Sequence, residues 1–109
     1  MPRKRRTPIP EPPTELGKPQ RGLWLQLAAE HAGNASTGDV LELRSLVDTN
    51  ARLDAVRAQL DQDGVSTVGS TGQIRAHPLL AEESRLRAEL GERLTAWGHV
   101  CYVAANSGY

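Results

Sequence analysis

The sequence predicts a mainly α-helical fold: a short N-terminal helix, then a long antiparallel helical pair joined by a small β-hairpin, behind a disordered, basic and proline-rich N-terminal arm. Three observations predict this arrangement. Leu and Ala are frequent and Phe is absent, which favours an aliphatic, helical core. Two long stretches repeat apolar residues at helical spacing. Six of the seven prolines lie at or before Pro19, where fixed φ angles and missing N–H groups disfavour regular structure.

The N-terminal arm comprises residues 1–14, and its composition predicts a disordered, partly polyproline segment. Residues 1–21 contain six basic and two acidic side chains, a net charge of +4, whereas residues 22–109 contain seven arginines and eleven acidic residues, a net charge of −4. Basic segments on a mildly acidic body often bind phosphates. The arm therefore indicates nucleic-acid contact, and the alternative is a tail that aids solubility alone.

A helical domain is predicted over residues 15–98, and it opens with a short helix. This helix runs from Thr14 or Lys18 to His31, with apolar residues spaced along one face. Gly33 and Asn34 then end it, because both residue types tolerate a left-handed backbone. Residues 32–36 form the connector to the next helix.

The second helix is predicted from Thr37, as its N-cap, to Gln62, with Gly64 as the stop signal. Its apolar residues form one stripe at a spacing of three to four residues. Asn50 lies in or beside this stripe. A polar residue at a seam position can fix register and subunit number; the alternative is that Asn50 sits at the edge of the stripe.

A β-hairpin and a third helix complete the predicted domain. The segments Val65–Val68 and Gln73–Arg75 flank the turn Gly69–Gly72, whose residue types favour a tight turn. The third helix is predicted to begin at His77-Pro78, with Pro78 at its first position, and to end at Gly98. Residues 99–109 are predicted to be a separate C-terminal tail.

No pattern for catalysis, a cofactor or a metal is found in the sequence. The three histidines are scattered and have no nucleophile in a recognisable motif, and Cys101 is the single cysteine. A zinc site normally needs four ligands, and the glycine turn lacks the Gly-Lys-Ser/Thr ending of a phosphate-binding loop. We therefore expect a protein that is not an enzyme and holds no metal. No apolar run is long enough to span a membrane, and the basic start lacks the apolar stretch of a secretory signal.

The size of the core predicts association between copies. About 80 to 85 residues remain once the arm is removed, and domains this small rarely gain more than a few kcal/mol from one core. Without disulfides or metals to add stability, a homo-oligomer is the remaining candidate. The residues predicted to face a second subunit are Leu43, Leu46, Val47, Asn50, Leu53, Leu60, Leu86, Leu90, Leu94 and Trp97.

The order of the motifs resembles that of a known family. A basic, proline-rich start leads to Leu16-Gly17-Lys18 and Gly22-Leu23-Trp24; a long helix and a glycine turn follow, and then His77-Pro78-Leu79-Leu80-Ala81-Glu82. Over residues 15–97 this order is similar to that of phage terminase small subunits, in the branch with a glycine turn before an Asn/His-Pro-Leu/Ala helix start.

The resemblance implies a non-catalytic DNA-packaging factor in the cytoplasm of an infected host cell. Such proteins assemble into a homo-oligomeric ring, bind double-stranded viral DNA and deliver it to the terminase large subunit, which carries the ATPase and nuclease. This sequence lacks a convincing helix-turn-helix, which favours contact with the DNA backbone. The predicted DNA-binding residues are Arg3, Lys4, Arg5, Arg6, Lys18, Arg21 and Arg75. Two alternatives stay open, a small oligomeric DNA-binding regulator and a helical adaptor without a nucleic-acid role.

Overall fold

The computed structural model describes residues 7–64, 66–68 and 74–106, with the backbone alone for 66–68, 74 and 75. The described elements are α1 (Lys18–Ala28), α2 (Thr37–Asp63), β1 (Ser66–Val68), β2 (Ile74–Ala76) and α3 (Leu79–Ala105). The prediction of a mainly helical protein with a short first helix and a long helical pair is confirmed.

Helix α1 begins at Lys18, so the alternative start at Thr14 is wrong. Gly17 is its N-cap, with no hydrogen bond from a side chain, and Pro19 lies in the first turn. This turn accommodates Pro19 because its N–H groups have no partner inside the helix. The helix ends at Ala28 rather than at His31, and the backbone N–H groups of Glu30 and His31 bond to the carbonyls of Leu27 and Ala28.

Helix α2 is set at both ends by local chemistry. Its N-cap is Ser36, one residue before the predicted Thr37, because Ser36 and Asp39 form a reciprocal capping box. The Ser36 Oγ accepts from the Asp39 N–H at 3.0 Å, and the Asp39 carboxylate accepts from the Ser36 N–H at 3.2 Å. Gly64, with φ of +80°, follows the last turn, as its sequence position predicts.

Helix α3 continues past Gly98 to Ala105, so the predicted boundary at residue 98 is wrong for residues 99–105. Apolar side chains continue through this stretch, and Ala104 is buried, which explains why the helix does not stop at a glycine. At its start, the Leu79 N–H donates to His77 Nδ1 at 3.0 Å. Since Nδ1 is an acceptor, Nε2 carries the proton and donates to Asp63 Oδ2 at 3.0 Å.

The link between the two long helices contains two short strands. Strands β1 and β2 pair antiparallel, with Ser66 opposite Ala76, Thr67 opposite Arg75 and Val68 opposite Ile74. The turn predicted at Gly69–Gly72 lies outside the described residues, so the complete hairpin stays a prediction.

Polar contacts show that α2 and α3 are antiparallel over most of their length. Thr49 Oγ1 donates to Glu89 Oε2 at 3.1 Å, and Arg57 donates to Glu83 at 3.4 Å. Together with the contact between Asp63 and His77, these pairs show that later residues along α2 contact earlier residues along the chain towards and within α3. Each helix has 27 residues, a length of about 40 Å at 1.5 Å per residue.

Most of the apolar residues that were predicted to face a second subunit are buried in the core of the single chain. Seven of the ten predicted interface residues are buried within one chain, so their assignment to an oligomer interface is wrong. A second copy is not needed to cover them, because α1 and α3 pack on α2. The buried seven are Leu43, Leu46, Val47, Leu53, Leu60, Leu86 and Trp97.

The other three predicted interface residues have different surroundings. Leu90 packs on the edge of the same core, and Asn50 is half-buried with its side-chain amide donating to Asp54 at 3.4 Å. This contact within α2 favours the edge-of-stripe interpretation of Asn50. Leu94 is 42% exposed, and it is the most exposed of the ten.

The segment before α1 packs against the helices, so the prediction of disorder over residues 1–14 is wrong for residues 7–14. Pro12 is buried, and Ile9 packs on the core. The Trp24 indole N–H donates to the Pro10 carbonyl at 3.0 Å, and Arg21 Nη1 donates to the Pro13 carbonyl at 3.2 Å. Prolines cannot pair in a helix or sheet, but their carbonyls still accept hydrogen bonds.

Candidate nucleic-acid interface and adjoining pocket

The basic run Arg3–Arg6 lies outside the described residues, but the structure fixes the point where it joins the body. The Thr7 N–H donates to Asn34 Oδ1 at 2.7 Å, and the Thr7 carbonyl accepts from the Ala35 N–H at 2.7 Å. Both partners belong to the connector between α1 and α2. The residue that follows the four basic residues, Thr7, is therefore held beside the N-terminus of α2.

The three remaining predicted DNA contacts are dispersed. Lys18 is exposed at the first position of α1. Arg21 is half-buried, and its guanidinium bonds to the Pro13 carbonyl, which gives it a structural role. The backbone of Arg75 lies in β2, near the C-terminal end of α2, and its side chain lies outside the description. Because α2 is about 40 Å long, Arg75 and Thr7 lie at opposite ends of the helical pair.

A pocket of about 360 Å³ lies beside the Thr7 anchor, between the connector and the last turns of α3. The close approach of these elements depends on Gly33, because a Cβ there would lie 2.4 Å from the Ala104 carbonyl oxygen. The pocket combines three polar and three aliphatic residues. They are Asn34, Asp39, His99, Val100, Val103 and Ala104.

Asp39 is the charged group of this pocket, and a buried histidine orients it. His31 Nε2 lies 2.9 Å from Asp39 Oδ2, and the His31 ring packs at 5.8 Å from that of Trp97. Partial burial raises the pKa of Asp39, but hydrogen bonds from His31 and Ser36 outweigh it and hold the pKa below its usual value. The carboxylate is therefore ionised at neutral pH. His31 Nδ1 is buried and has no hydrogen-bond partner among the described residues.

A second surface feature is the exposed side of α3, opposite the core. Seven uncharged residues follow one another there at alternating spacings of four and three, so they form one continuous helical face. A Cβ added at Gly91 or Gly98 would meet nothing within 4 Å, and the neighbouring Leu94 is exposed. This outer face of α3 comprises Ser84, Ala88, Gly91, Thr95, Gly98, Tyr102 and Ala105.

Sequence reasoning missed the polar cluster formed by His31, Ser36 and Asp39. A signal for part of it was present, because a Ser followed three residues later by an acid is a capping pattern. Nothing local predicts that His31 bonds to Asp39, since their contact depends on how the connector folds back.

Within the described parts of the chain, no helix is both long enough and apolar enough to cross a bilayer. No three His, Cys, Asp or Glu side chains come together there in a way that could hold a metal ion. No protein-family model, curated protein or solved structure matches the chain.

Proposed function

We propose that this protein is a non-catalytic small subunit of a phage DNA-packaging terminase. In this role it binds double-stranded viral DNA through its basic arm, forms a homo-oligomer and recruits the large subunit that carries the ATPase and nuclease. It acts in the cytoplasm of the infected cell. The proposal rests on the order of motifs over residues 15–97 and on one structural observation.

The observation that carries the proposal is the fixed junction between the basic run and the body. Two hydrogen bonds hold Thr7 to the connector, so the residue that follows the four positive charges is fixed to the body at one defined point. Lysine and arginine contacts with phosphate supply most of non-specific DNA affinity and carry little sequence information. A run of this kind suits a protein that holds DNA without reading one site.

Salt-dependent DNA binding tests this role. We expect the full chain to bind duplexes of unrelated sequence, with affinity falling steeply as salt rises. Replacing Arg3, Lys4, Arg5 and Arg6 together by Gln removes up to four phosphate contacts, and each contact contributes about 0.9 to the log–log salt slope. The slope should therefore fall by up to about 3.6, as measured by fluorescence anisotropy.

The matched control removes positive charge elsewhere on the surface. Arg52 and Arg87 are exposed on α2 and α3, and replacing both by Gln should leave the slope nearly unchanged. An unchanged slope in the arm variant would contradict the proposed DNA contact. Absence of DNA binding by the full chain at low salt would favour the adaptor, and tight binding of one sequence alone would favour the regulator.

The homo-oligomer requires a surface other than the buried stripe, and the outer face of α3 is the best available. Gly91 and Gly98 each weaken an exposed helix by about 1 kcal/mol relative to Ala, and no contact among the residues that the structure describes explains them. Small residues on a helix allow another helix to approach closely. Tyr102 is 67% exposed on this face, and Leu94 borders it, so both offer apolar area to a partner.

Sedimentation velocity with two glutamate variants tests this face. Gly98→Glu places a charge at the centre of the face, where the single chain has room for it, so we expect dissociation with helicity unchanged. Ala96→Glu places the same charge on an exposed position of α3 outside the face and should leave the assembly intact. A wild-type chain that is monomeric at several hundred micromolar, or a Gly98→Glu variant of unchanged mass, would refute the assignment.

Recruitment of the large subunit is the third part of the proposal. Tyr102 and the adjacent Val103, which is 51% exposed, give the C-terminal turns of α3 an apolar surface beside the arm junction. We assign this contact to the segment Val100–Val103, which lies on α3, with Val100 half-buried.

A further inference from the structure

We propose that the pocket between the connector and the end of α3 binds a basic side chain of the arm, from residues 3–6, when no DNA is bound. The inference rests on the proposed function, because the same basic run is the proposed DNA contact. It adds a regulatory step, because DNA must compete with Asp39 of the pocket for the basic side chains of the arm.

Chain connectivity places the arm within reach of this pocket. Asn34 lines the pocket and also accepts the hydrogen bond from the Thr7 backbone at 2.7 Å. Consecutive Cα atoms are 3.8 Å apart, so Arg6 lies next to a residue that is bound at the pocket edge. An arginine side chain is long enough to extend over that edge from such a position.

The chemistry of the pocket suits a guanidinium or ammonium group. The Asp39 side chain is 22% exposed and lines the pocket, so a further donor can reach its carboxylate from there. The described residues that line the pocket include no lysine or arginine. Val100, Val103 and Ala104 offer aliphatic surface against which the stem of a long basic side chain can pack.

Charge across the whole chain favours the same contact. Residues 3–6 contribute four positive charges, whereas residues 22–109 have a net charge of −4. Exposed ion pairs are weak, at about 0 to 1 kcal/mol, so the arm is held loosely enough for DNA to displace it.

NMR spectra of the isotope-labelled full chain at low salt test this contact. Replacing Arg3, Lys4, Arg5 and Arg6 together by Gln should shift the backbone amide signals of Asn34, Asp39, His99 and Val103. These shifts should disappear in high salt, because screening weakens the contact. Adding a duplex of unrelated sequence to the wild-type chain should move the same signals towards their positions in the neutralised variant.

A charge introduced at the pocket provides the matched comparison. Val103→Arg places a positive charge on the pocket lining, and Ala58→Arg places it on an exposed position of α2, about 28 Å from Asp39 along that helix. Neutralising the arm should no longer shift the pocket signals in the Val103→Arg background, and should still do so in the Ala58→Arg background. DNA affinity should be about two- to fivefold higher for Val103→Arg than for Ala58→Arg, because an ion pair of this strength no longer competes.

Two results would overturn the inference: pocket signals that are identical with and without the arm charges, or arm-dependent shifts that persist in Val103→Arg. These outcomes are independent of the DNA-binding test. Arm-dependent shifts without DNA binding would refute the proposed function and leave the pocket contact standing. DNA binding without such shifts would refute the pocket contact and leave the proposed function standing.

Discussion

Asp39→Ala should destabilise the chain more than the loss of one surface charge can explain. Asp39 accepts hydrogen bonds from two groups, the Ser36 N–H at the start of α2 and His31 Nε2, and the His31 side chain is fully buried. Alanine removes the acceptor of both hydrogen bonds at once. The perturbation therefore affects a helix cap and a buried polar group together.

The expected loss is about 3 kcal/mol in the free energy of unfolding. A buried donor left without a partner costs about 1 to 3 kcal/mol, which applies to His31. Loss of the capping box and of a negative charge near the helix N-terminus adds about 1 kcal/mol. For a domain of this size each kcal/mol lowers the melting temperature by about 4 to 8 °C, so a decrease of about 12 to 24 °C should follow.

Urea unfolding, followed by circular dichroism and tryptophan fluorescence, measures this loss. The control is Glu42→Ala, which removes an exposed carboxylate one turn later in α2 and should change stability by less than about 0.5 kcal/mol. The double variant Ser36→Ala with Asp39→Ala should show strong non-additivity, because the two side chains form one capping box.

The pH dependence provides a second signature. The pKa of Asp39 is lowered in the folded chain, so its stabilisation is present above the unfolded pKa of about 3.9. The stabilisation is lost as the pH falls through the lowered folded value. The difference between wild type and Asp39→Ala should thus be constant near neutral pH and narrow below about pH 4. A loss at pH 7 no larger than that of Glu42→Ala would refute the assigned role of Asp39.

Two further predictions concern the connections between the helices. Gly33→Ala should destabilise the fold by about 1 to 3 kcal/mol, because the added Cβ would clash with the Ala104 backbone. Gly91→Ala should stabilise the fold by about 0.5 to 1 kcal/mol. The melting temperatures of the two variants should therefore shift in opposite directions, and equal shifts would contradict the prediction. His77→Ala should cost about 1 to 2 kcal/mol, since the ring accepts from the Leu79 N–H and donates to Asp63. Hydrogen exchange should then rise first at the start of α3, and uniform protection would argue against the cap.

The sequence by itself determined the elements of this protein. Repeating apolar residues, Gly64 and the absence of proline within the long stretches predicted the two long helices, because these signals act over one or two turns. The same local signals failed at Gly98. An exposed glycine does not end a helix whose next turn still buries Ala104 and packs Val100 and Cys101 on the core.

Tertiary structure decided which surfaces remain available for function. The stripe of α2 was visible in the sequence, but periodicity cannot tell whether α1 and α3 of the same chain or a second copy covers it. The composition of the proline-rich segment predicted disorder because it disfavours regular structure, yet the carbonyls of Pro13 and Pro10 accept hydrogen bonds from Arg21 and Trp24 of α1. The pocket at Asp39 likewise depends on residues far apart in the chain, and only folding brings them together.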